Sequence, residues 1–159
     1  MEHVLGNEPH PPHCLFEPPG DQPYSRELLL LYRDSGRLCL LNRFPYANGH
    51  LLVAPARHVA CITELEAAEL QEVNDLVQKA IEILKEELNP DGFNVGLNLG
   101  QVAGAGIEDH IHYHIVPRWQ DDHNFMTVLA DVRTIPEHIE KTYDRLLPGF
   151  QHLYRSNHK

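Results

Sequence analysis

In the sequence HIHYHIVP at residues 110–117, three histidines alternate with apolar residues. Alternate side chains of a β-strand point to opposite faces, so a strand here predicts three imidazoles in a row, about 7 Å apart. The other face of the strand then contributes Ile111, Tyr113 and Ile115 to the core. The imidazoles in the row are those of His110, His112 and His114.

Such a row of imidazoles has two chemical uses, metal binding and catalysis on phosphate or acyl groups. A chance pattern is the third explanation, since 12 of the 159 residues are histidine. Three glycines that precede the histidines, Gly100, Gly104 and Gly106, favour the catalytic explanation. Glycine lets the backbone approach a ligand closely, and loop N–H groups can then hold a phosphate beside the imidazoles. The metal site and the chance pattern stay open as alternatives.

The composition indicates one domain and argues against several classes of partner. A length of 159 residues is that of a single domain. The formal net charge of -10 argues against binding along nucleic acid, which requires basic patches, but allows a small anionic ligand. No apolar run approaches membrane-spanning length, so we expect no membrane partner. The N-terminus lacks the features of a secretory signal and the three cysteines form no disulfide framework, so we expect a cytoplasmic protein.

The remaining sequence predicts strands, then a long helix, then strands again. The expected strands lie over residues 28–32, 38–42, 50–55, 93–98 and 110–117. Thr63 and Glu66 form a Thr-x-x-Glu capping box before apolar residues that recur every three or four positions as far as Leu88. A second helix is expected over residues 134–147. This order predicts an α+β domain with a mainly antiparallel, five-stranded sheet, one long helix and a C-terminal helix.

Several ordered segments resemble one known family. The pattern His-φ-His-φ-His-φ-φ at residues 110–116 resembles the signature of the histidine triad (HIT) superfamily. Residues 41–55 resemble the first nucleotide-binding segment of that family, and residues 57–65 resemble the start of its long helix. The segments that resemble the bacterial branch, often described as diadenosine tetraphosphate hydrolase or phosphorylase-like, are residues 103–107, 116–119 and 124–126.

The resemblance also divides the chain. It covers residues 14–147 and implies a HIT-like fold for that range. Residues 1–13, which are rich in proline and histidine, are then an irregular N-terminal arm, and residues 148–159 are a polar C-terminal tail. The long helix and the adjoining strands resemble the dimer interface of the family, so we expect a homodimer.

The resemblance implies a reaction as well. The family cleaves adenine nucleotides, such as dinucleoside polyphosphates or phosphoramidates, at the α-phosphate by double displacement. On this sequence, His112 is the nucleophile that forms a nucleotidyl-histidine, His114 contacts phosphate oxygen and helps to protonate the leaving group, and His110 orients the nucleophile. Water or inorganic phosphate then releases the nucleotide, so hydrolase and phosphorylase stay open, as does a nucleotide- or metal-binding module without turnover. The chemistry requires no cofactor.

The same resemblance assigns the nucleotide contacts. Asn42 matches the residue that binds the ribose hydroxyls, Asn98 precedes the phosphate loop, and Phe44 is placed to line the base pocket. The residues whose backbone N–H groups are expected to stabilise charge on phosphate are Gly104, Ala105 and Gly106. The structural alternatives are a turn for Asn42, loop bracing for Asn98 and core packing for Phe44. Gly106 and Ile107 stand where animal members carry Gln and Ser or Thr, so those side-chain contacts to phosphate are lost.

A metal site is the last feature that the resemblance implies. Many bacterial relatives bind Zn²⁺ through a Cys-x-x-Cys pair, a histidine before the long helix and the first triad histidine. Residues 14–17 read CLFE in this chain, so Glu17 replaces the second cysteine. Zinc accepts sulfur, nitrogen and oxygen ligands. The implied ligands of a structural zinc are therefore Cys14, Glu17, His58 and His110. The alternative is a decayed site in which Glu17 is solvated.

Overall fold

The computed structural model describes residues 14–105, 110–122 and 138–159. The predicted N-terminal arm at residues 1–13 lies outside these ranges. The strands are β1 (Leu30–Arg33), β2 (Arg37–Leu41), β3 (Leu51–Pro55), β4 (Gly92–Leu97) and β5 (Tyr113–Arg118). The helices are α1 (Ala67–Leu88) and α2 (Ile139–Asn157), and short 3-10 helices span Ile62–Glu64 and Gln101–Ala103.

The five strands form one antiparallel sheet in the order β1-β2-β3-β5-β4. A tight turn joins β1 to β2, and the Asp34 carboxylate stabilises it by accepting the N–H groups of Gly36 and Arg37 at 2.9 and 3.1 Å. The predicted α+β fold, with a five-stranded sheet, one long helix and a C-terminal helix, is confirmed. Within the described residues, neither helix has the length and apolar character that a bilayer crossing demands.

The helices cover one face of the sheet, and the triad lies on the other face. Along β3, Leu51 and Val53 belong to the apolar cluster that includes the helices, whereas Leu52 and Ala54 belong to a separate cluster. β5 pairs with β3 so that His114 lies opposite Leu52. Side chains of directly opposed residues share a face of the sheet. His114 therefore points away from the helices.

The long helix begins later than the predicted capping box indicates. Its N-cap is Glu66, whose N–H donates to the Glu69 carboxylate at 2.9 Å. Thr63 lies in the preceding 3-10 helix, which Glu64 closes with its own carboxylate. The predicted pairing of Thr63 with Glu66 is wrong, because two glutamates at the same spacing cap two consecutive turns.

The C-terminal helix continues past its predicted end. The residues expected to form a tail, 148–159, are helical as far as Asn157, since α2 runs on through Pro148. Proline and glycine disfavour helix interiors. However, Phe150 is fully buried, and a Cβ added at Gly149 would lie 2.9 Å from the Ile83 side chain of α1. Close packing between the two helices therefore outweighs the local preference of the backbone.

Truncation after Leu147 tests this packing. We expect the shortened chain to lose at least about 3 kcal/mol of unfolding free energy, because truncating a single buried Phe already costs about 3–5 kcal/mol. Urea denaturation followed by circular dichroism measures the loss. Arg155→Ala, an exposed change on the same helix, is the control and should alter stability by less than about 0.5 kcal/mol. A truncated chain as stable as the full chain would contradict the packing.

Candidate active site

Five histidines gather on the face of the sheet that the helices leave uncovered. His110 and His50 are fully buried, His112 is 6% exposed, and His114 is half-buried. His58 meets His110 edge-on, with 5.0 Å between the ring centroids. The three predicted triad histidines therefore come together, although His110 and His112 precede β5 instead of lying within it.

The chain departs from the predicted strand over residues 110–112. There the N–H of Ile111 donates to the carbonyl of Val59 at 2.7 Å, outside the strand pairing. The ring centroids of His112 and His114 lie 4.9 Å apart, closer than the about 7 Å expected for alternate residues of a strand. The predicted strand is wrong at its start, and the rings of His112 and His114 are tilted close to each other.

His112 has one ring nitrogen fixed by the backbone. Its Nδ1 lies 2.9 Å from the carbonyl oxygen of His110. A carbonyl can only accept, so Nδ1 carries the proton and Nε2 keeps its lone pair. Burial lowers the pKa of His112 below its ordinary value, which keeps the ring neutral at pH 7. A neutral imidazole with a lone pair on Nε2 is the state that a nucleophile requires.

A fourth histidine, His50, fixes the ring of His114. The Nδ1 of His50 accepts the N–H of Tyr46 at 3.1 Å, so the proton of His50 is on Nε2. This Nε2 lies 2.9 Å from Nδ1 of His114 and donates to it. His114 therefore carries its own proton on Nε2. Burial, followed by repulsion from His114 and His112, lowers the pKa of His50 to about 4, so the pair stays neutral.

Neither His50 nor Tyr46 stands out in the sequence. The available signal for His50 is a single polar residue at the start of the apolar run HLLVAP over residues 50–55. Tyr46 lies in the preceding loop, where an exposed aromatic residue has no sequence signature. It is 70% exposed, and its ring is nearly parallel to that of His114, with centroids 6.3 Å apart. An exposed ring beside the triad is a surface on which a base can stack.

Two predicted nucleotide-binding residues, Asn42 and Phe44, belong to the same loop. The Oδ1 of Asn42 accepts the N–H of Phe44 at 3.0 Å, as the turn explanation for Asn42 requires. Its Nδ2 lies 3.4 Å from Nδ1 of His50. Phe44 is 74% exposed, which excludes core packing and leaves its ring accessible to a ligand. Asn42 therefore braces the loop that presents Phe44 and Tyr46 beside the triad.

In the glycine loop, hydrogen bonds within the loop occupy two N–H groups that were expected to bind phosphate. The N–H groups of Gly104 and Ala105 donate to carbonyl groups of the same loop at 2.9 and 3.3 Å. Asn98 Nδ2 lies 3.5 Å from the carbonyl oxygen of Gly104, as loop bracing predicts. A phosphate contact through these two N–H groups requires the loop to open. Gly106, the third expected donor, lies outside the described residues.

The four predicted metal ligands lie together and share His110 with the triad. Their candidate ligand atoms all lie within 4.8 Å of one another, and the residues are Cys14, Glu17, His58 and His110. The Nδ1 of His110 lies 3.4 Å from Sγ of Cys14 and 3.2 Å from Nδ1 of His58. Oε2 of Glu17 lies 3.4 Å from that same atom of His58. Glu17 is thus directed at the cluster rather than only at solvent.

The protonation of His110 suits a metal ligand. Its Nε2 donates to the carbonyl of Pro55 at 2.7 Å, so Nδ1 is unprotonated and faces the cluster. A ligating histidine commonly donates its other N–H to a backbone carbonyl, which fixes the ring. One sulfur, one carboxylate and two imidazoles are a donor set that zinc accepts. The residues present therefore fit a zinc ion.

Comparison with known proteins gives relatives that cover much of this chain. A sequence model of the HIT domain matches residues 26–121. The AP-4-A phosphorylase of Mycobacterium tuberculosis is 41% identical over 116 residues, which are 73% of this chain and 60% of that protein. The asymmetrical bis(5'-nucleosyl)-tetraphosphatase of Schizosaccharomyces pombe is 30% identical over 93 residues, 58% of this chain and 50% of that protein. This chain thus spans about half to 60% of these curated relatives.

A solved structure shows the same architecture. The Zn-bound histidine triad family protein of Mycobacterium smegmatis has a TM-score of 0.64 and 25% identity, over 80% of this chain and 87% of that one. The family match thus covers most of the chain. The structure of this chain has the sheet order given above, with two helices on one face and the triad on the other. The chain belongs to the HIT domain family.

Proposed function

We propose that this chain is a nucleotidyl hydrolase or transferase that cleaves adenine nucleotides at the α-phosphate through a nucleotidyl-histidine on His112. The observation that carries the proposal is the state of His112, a neutral ring with Nδ1 bound to a backbone carbonyl and with His114 beside it. The names of two relatives, an AP-4-A phosphorylase and a bis(5'-nucleosyl)-tetraphosphatase, support a nucleotide substrate. The activity of the whole protein is part of the proposal, since this chain covers 60% of the mycobacterial relative.

The reaction would proceed in two displacements. In the first, the Nε2 lone pair of His112 attacks the α-phosphorus, and the bond from that phosphorus to the leaving-group oxygen breaks. The ring becomes positively charged, and the carbonyl oxygen of His110 stabilises the charge through the Nδ1 hydrogen bond. In the second, water or inorganic phosphate attacks the same phosphorus and the P–N bond breaks. Neutral His112 is regenerated, and attack by water also releases one proton.

His114 would donate a hydrogen bond to phosphate rather than a proton to the leaving group. Burial lowers its pKa, and its Nδ1 already accepts from His50, so loss of the Nε2 proton would leave an anionic ring. This arrangement favours leaving groups that are stable as anions at pH 7. Phosphate groups, with a second pKa of about 6, meet this condition, and amines with a pKa of about 10 do not. We therefore favour dinucleoside polyphosphates over phosphoramidates as substrates.

Water and inorganic phosphate would compete for the same intermediate. The name of the mycobacterial relative favours phosphate as the acceptor. The test is incubation with diadenosine tetraphosphate, with and without phosphate, followed by mass spectrometry of the products. ADP that forms only with phosphate identifies a phosphorylase, and AMP that forms without phosphate identifies a hydrolase. Bound nucleotide with no product under either condition would contradict the proposal and leave a binding module.

His112→Ala tests the proposed nucleophile. We expect turnover to fall by about 10³-fold or more, because removal of a nucleophile eliminates the covalent route. Nucleotide affinity, measured by calorimetry, should persist because the loop residues that present the base-binding surface are unchanged. His152→Ala, an exposed histidine on α2, is the matched control and should retain full turnover. A His112→Ala protein with the turnover of the parent would refute the nucleophile.

The neutral state of His50 predicts a pH dependence of stability. The folded pKa is about 4 and the ordinary value is 6.5, so the unfolded chain binds the proton first on acidification. The contribution of neutral His50 to the unfolding free energy should therefore be fully present above pH 6.5. The unfolding free energy should fall by up to about 3 kcal/mol as the pH approaches 4. Urea denaturation across this range checks the fall. His50→Leu should have a shallower slope between these pH values, and an unchanged slope would contradict the buried neutral ring.

A structural zinc and a homodimer complete the proposal, and we also place the protein in the cytoplasm. The zinc rests on the cluster of Cys14, Glu17, His58 and His110 and would hold the ring of His110. The homodimer is supported by β4, a strand at the edge of the sheet whose Val95 is 44% exposed. Native mass spectrometry tests both, with a dimer carrying one zinc per chain as the expected mass. Cys14→Ser should lose the zinc, and a metal-free monomer of the parent chain would contradict both parts.

A further inference from the structure

The turn of residues 14–17 packs against the triad on the face of the sheet opposite the helices. Phe16, within this turn, is 1% exposed. Its ring centroid lies 4.7 Å from that of His112, with 28° between the ring planes, and 5.1 Å from that of His110. The strand residues in the same apolar cluster are Leu30, Leu38, Leu40, Leu52 and Ala54. Phe16 therefore fills the space between the sheet and the nucleophile.

The residues at the two ends of this turn are candidate metal ligands. The N–H of Glu17 donates to the carbonyl of Cys14 at 3.0 Å and closes the turn. Sγ of Cys14 lies 3.4 Å from Nδ1 of His110, and Oε2 of Glu17 lies 3.4 Å from Nδ1 of His58. The side chains at both ends of the turn thus face the other candidate metal ligands, His58 and His110, while Phe16 between them faces His112.

We infer that Phe16 is a positioning residue for His112, and that metal ligation by Cys14 and Glu17 holds Phe16 against that ring. The inference rests on the proposed role of His112 as the nucleophile. Phe16 has no group that could take part in the reaction, so its effect is exerted through the orientation of His112.

His112 requires this support because one hydrogen bond does not fix the plane of a ring. The bond from Nδ1 to the carbonyl of His110 restrains rotation of the ring about Cβ–Cγ, but a hydrogen bond tolerates a range of angles, so the ring retains some freedom to turn. The stacked face of Phe16 restricts the turning and keeps Nε2 aligned with the phosphorus. Misplacement of a reacting group by about 1 Å can cost about 10²-fold in rate.

Metal ligation would attach the turn to two other parts of the chain. His58 follows β3 and His110 precedes β5, so one ion would connect both to the turn. The Glu17 and His58 side chains are 47% and 43% exposed, and an ion pair that exposed is weak by itself. An ion bound there would therefore hold this end of the turn, and with it Phe16, more firmly than the apolar packing of Phe16 alone.

Phe16→Leu tests the positioning role. We expect single-turnover formation of the nucleotidyl-histidine to slow by about 10- to 100-fold, while nucleotide affinity and bound zinc stay unchanged. The Nδ1–H proton of His112, observed by ¹H–¹⁵N NMR, should shift or broaden. Phe150→Leu is the matched control, because Phe150 is equally buried in the other apolar cluster. A Phe16→Leu protein with the parent rate and an unchanged His112 signal would overturn the inference.

Metal removal tests the link between the cluster and Phe16. Chelation of the parent protein should broaden the same His112 signal and slow formation of the intermediate. In Phe16→Leu, chelation should slow the rate by a much smaller factor, since two changes that act through one contact are not additive. Equal slowing of both proteins would overturn the role of Phe16 in this link. Glu17→Gln is a milder second variant, and we expect it to weaken Co²⁺ binding. Its His112 signal should resemble that of the parent protein after chelation, even if urea denaturation gives the same unfolding free energy as for the parent.

The two proposals can fail separately. If the parent protein forms the intermediate and Phe16→Leu does so equally fast, the positioning role fails and the proposed function stands. If the parent protein has no turnover but the His112 signal depends on Phe16 and on metal, the proposed function fails and the structural link stands. A parent protein that binds neither Zn²⁺ nor Co²⁺ overturns the metal part of the inference.

Discussion

The site depends on one hydrogen bond, from Nδ1 of His112 to the carbonyl oxygen of His110 at 2.9 Å. Because a carbonyl only accepts, this bond alone decides which nitrogen of His112 carries the proton and which keeps its lone pair. It also supplies a partner for the positive charge that attack on phosphorus would create on the ring. If the bond is absent, His112 can adopt either tautomer, and Nε2 is no longer fixed as the unprotonated nitrogen.

The surrounding structure keeps this carbonyl in place. The N–H of Ile111 is bound to Val59, and Nε2 of His110 is bound to the carbonyl of Pro55, so the peptide between them is held from both sides. His50 imposes the opposite tautomer on His114, which therefore presents an N–H where His112 presents a lone pair. The helices pack on the far face of the sheet and leave this face to the histidines. The sheet thus separates the helices on one face from the histidines on the other.

The sequence predicts the parts of this structure that periodic patterns encode. Alternation and three-to-four spacing identified the strands and the long helix, and the resemblance to the HIT family brought the triad and the metal cluster together by residue number. The start of β5 could not be predicted, because the alternation of histidines and apolar residues continues through 110–112 while the bond of Ile111 to Val59 is a tertiary contact. The end of α2 is a similar case, since burial of Phe150 overrides the proline and glycine before it.

The residues that the sequence does not reveal act through neighbours distant in the chain. His50 acts through its hydrogen bond to Nδ1 of His114, and Phe16 acts through its stacking on the ring of His112. Neither partner lies near in sequence. The N–H groups of Gly104 and Ala105 show the reverse, because glycine spacing suggests a phosphate site while the loop uses those groups itself. A glycine pattern specifies which backbone shapes are allowed, but it does not specify where the N–H groups point.

The proposed reaction requires a covalent bond between Nε2 of His112 and the α-phosphorus. Rapid base quenching of the protein during turnover of a nucleotide labelled at the α-phosphate, followed by peptide mass spectrometry, tests this bond. We predict a base-stable, acid-labile nucleotidyl group on His112. The label on His110 or His114, or turnover with no covalent label at any time point, would contradict it.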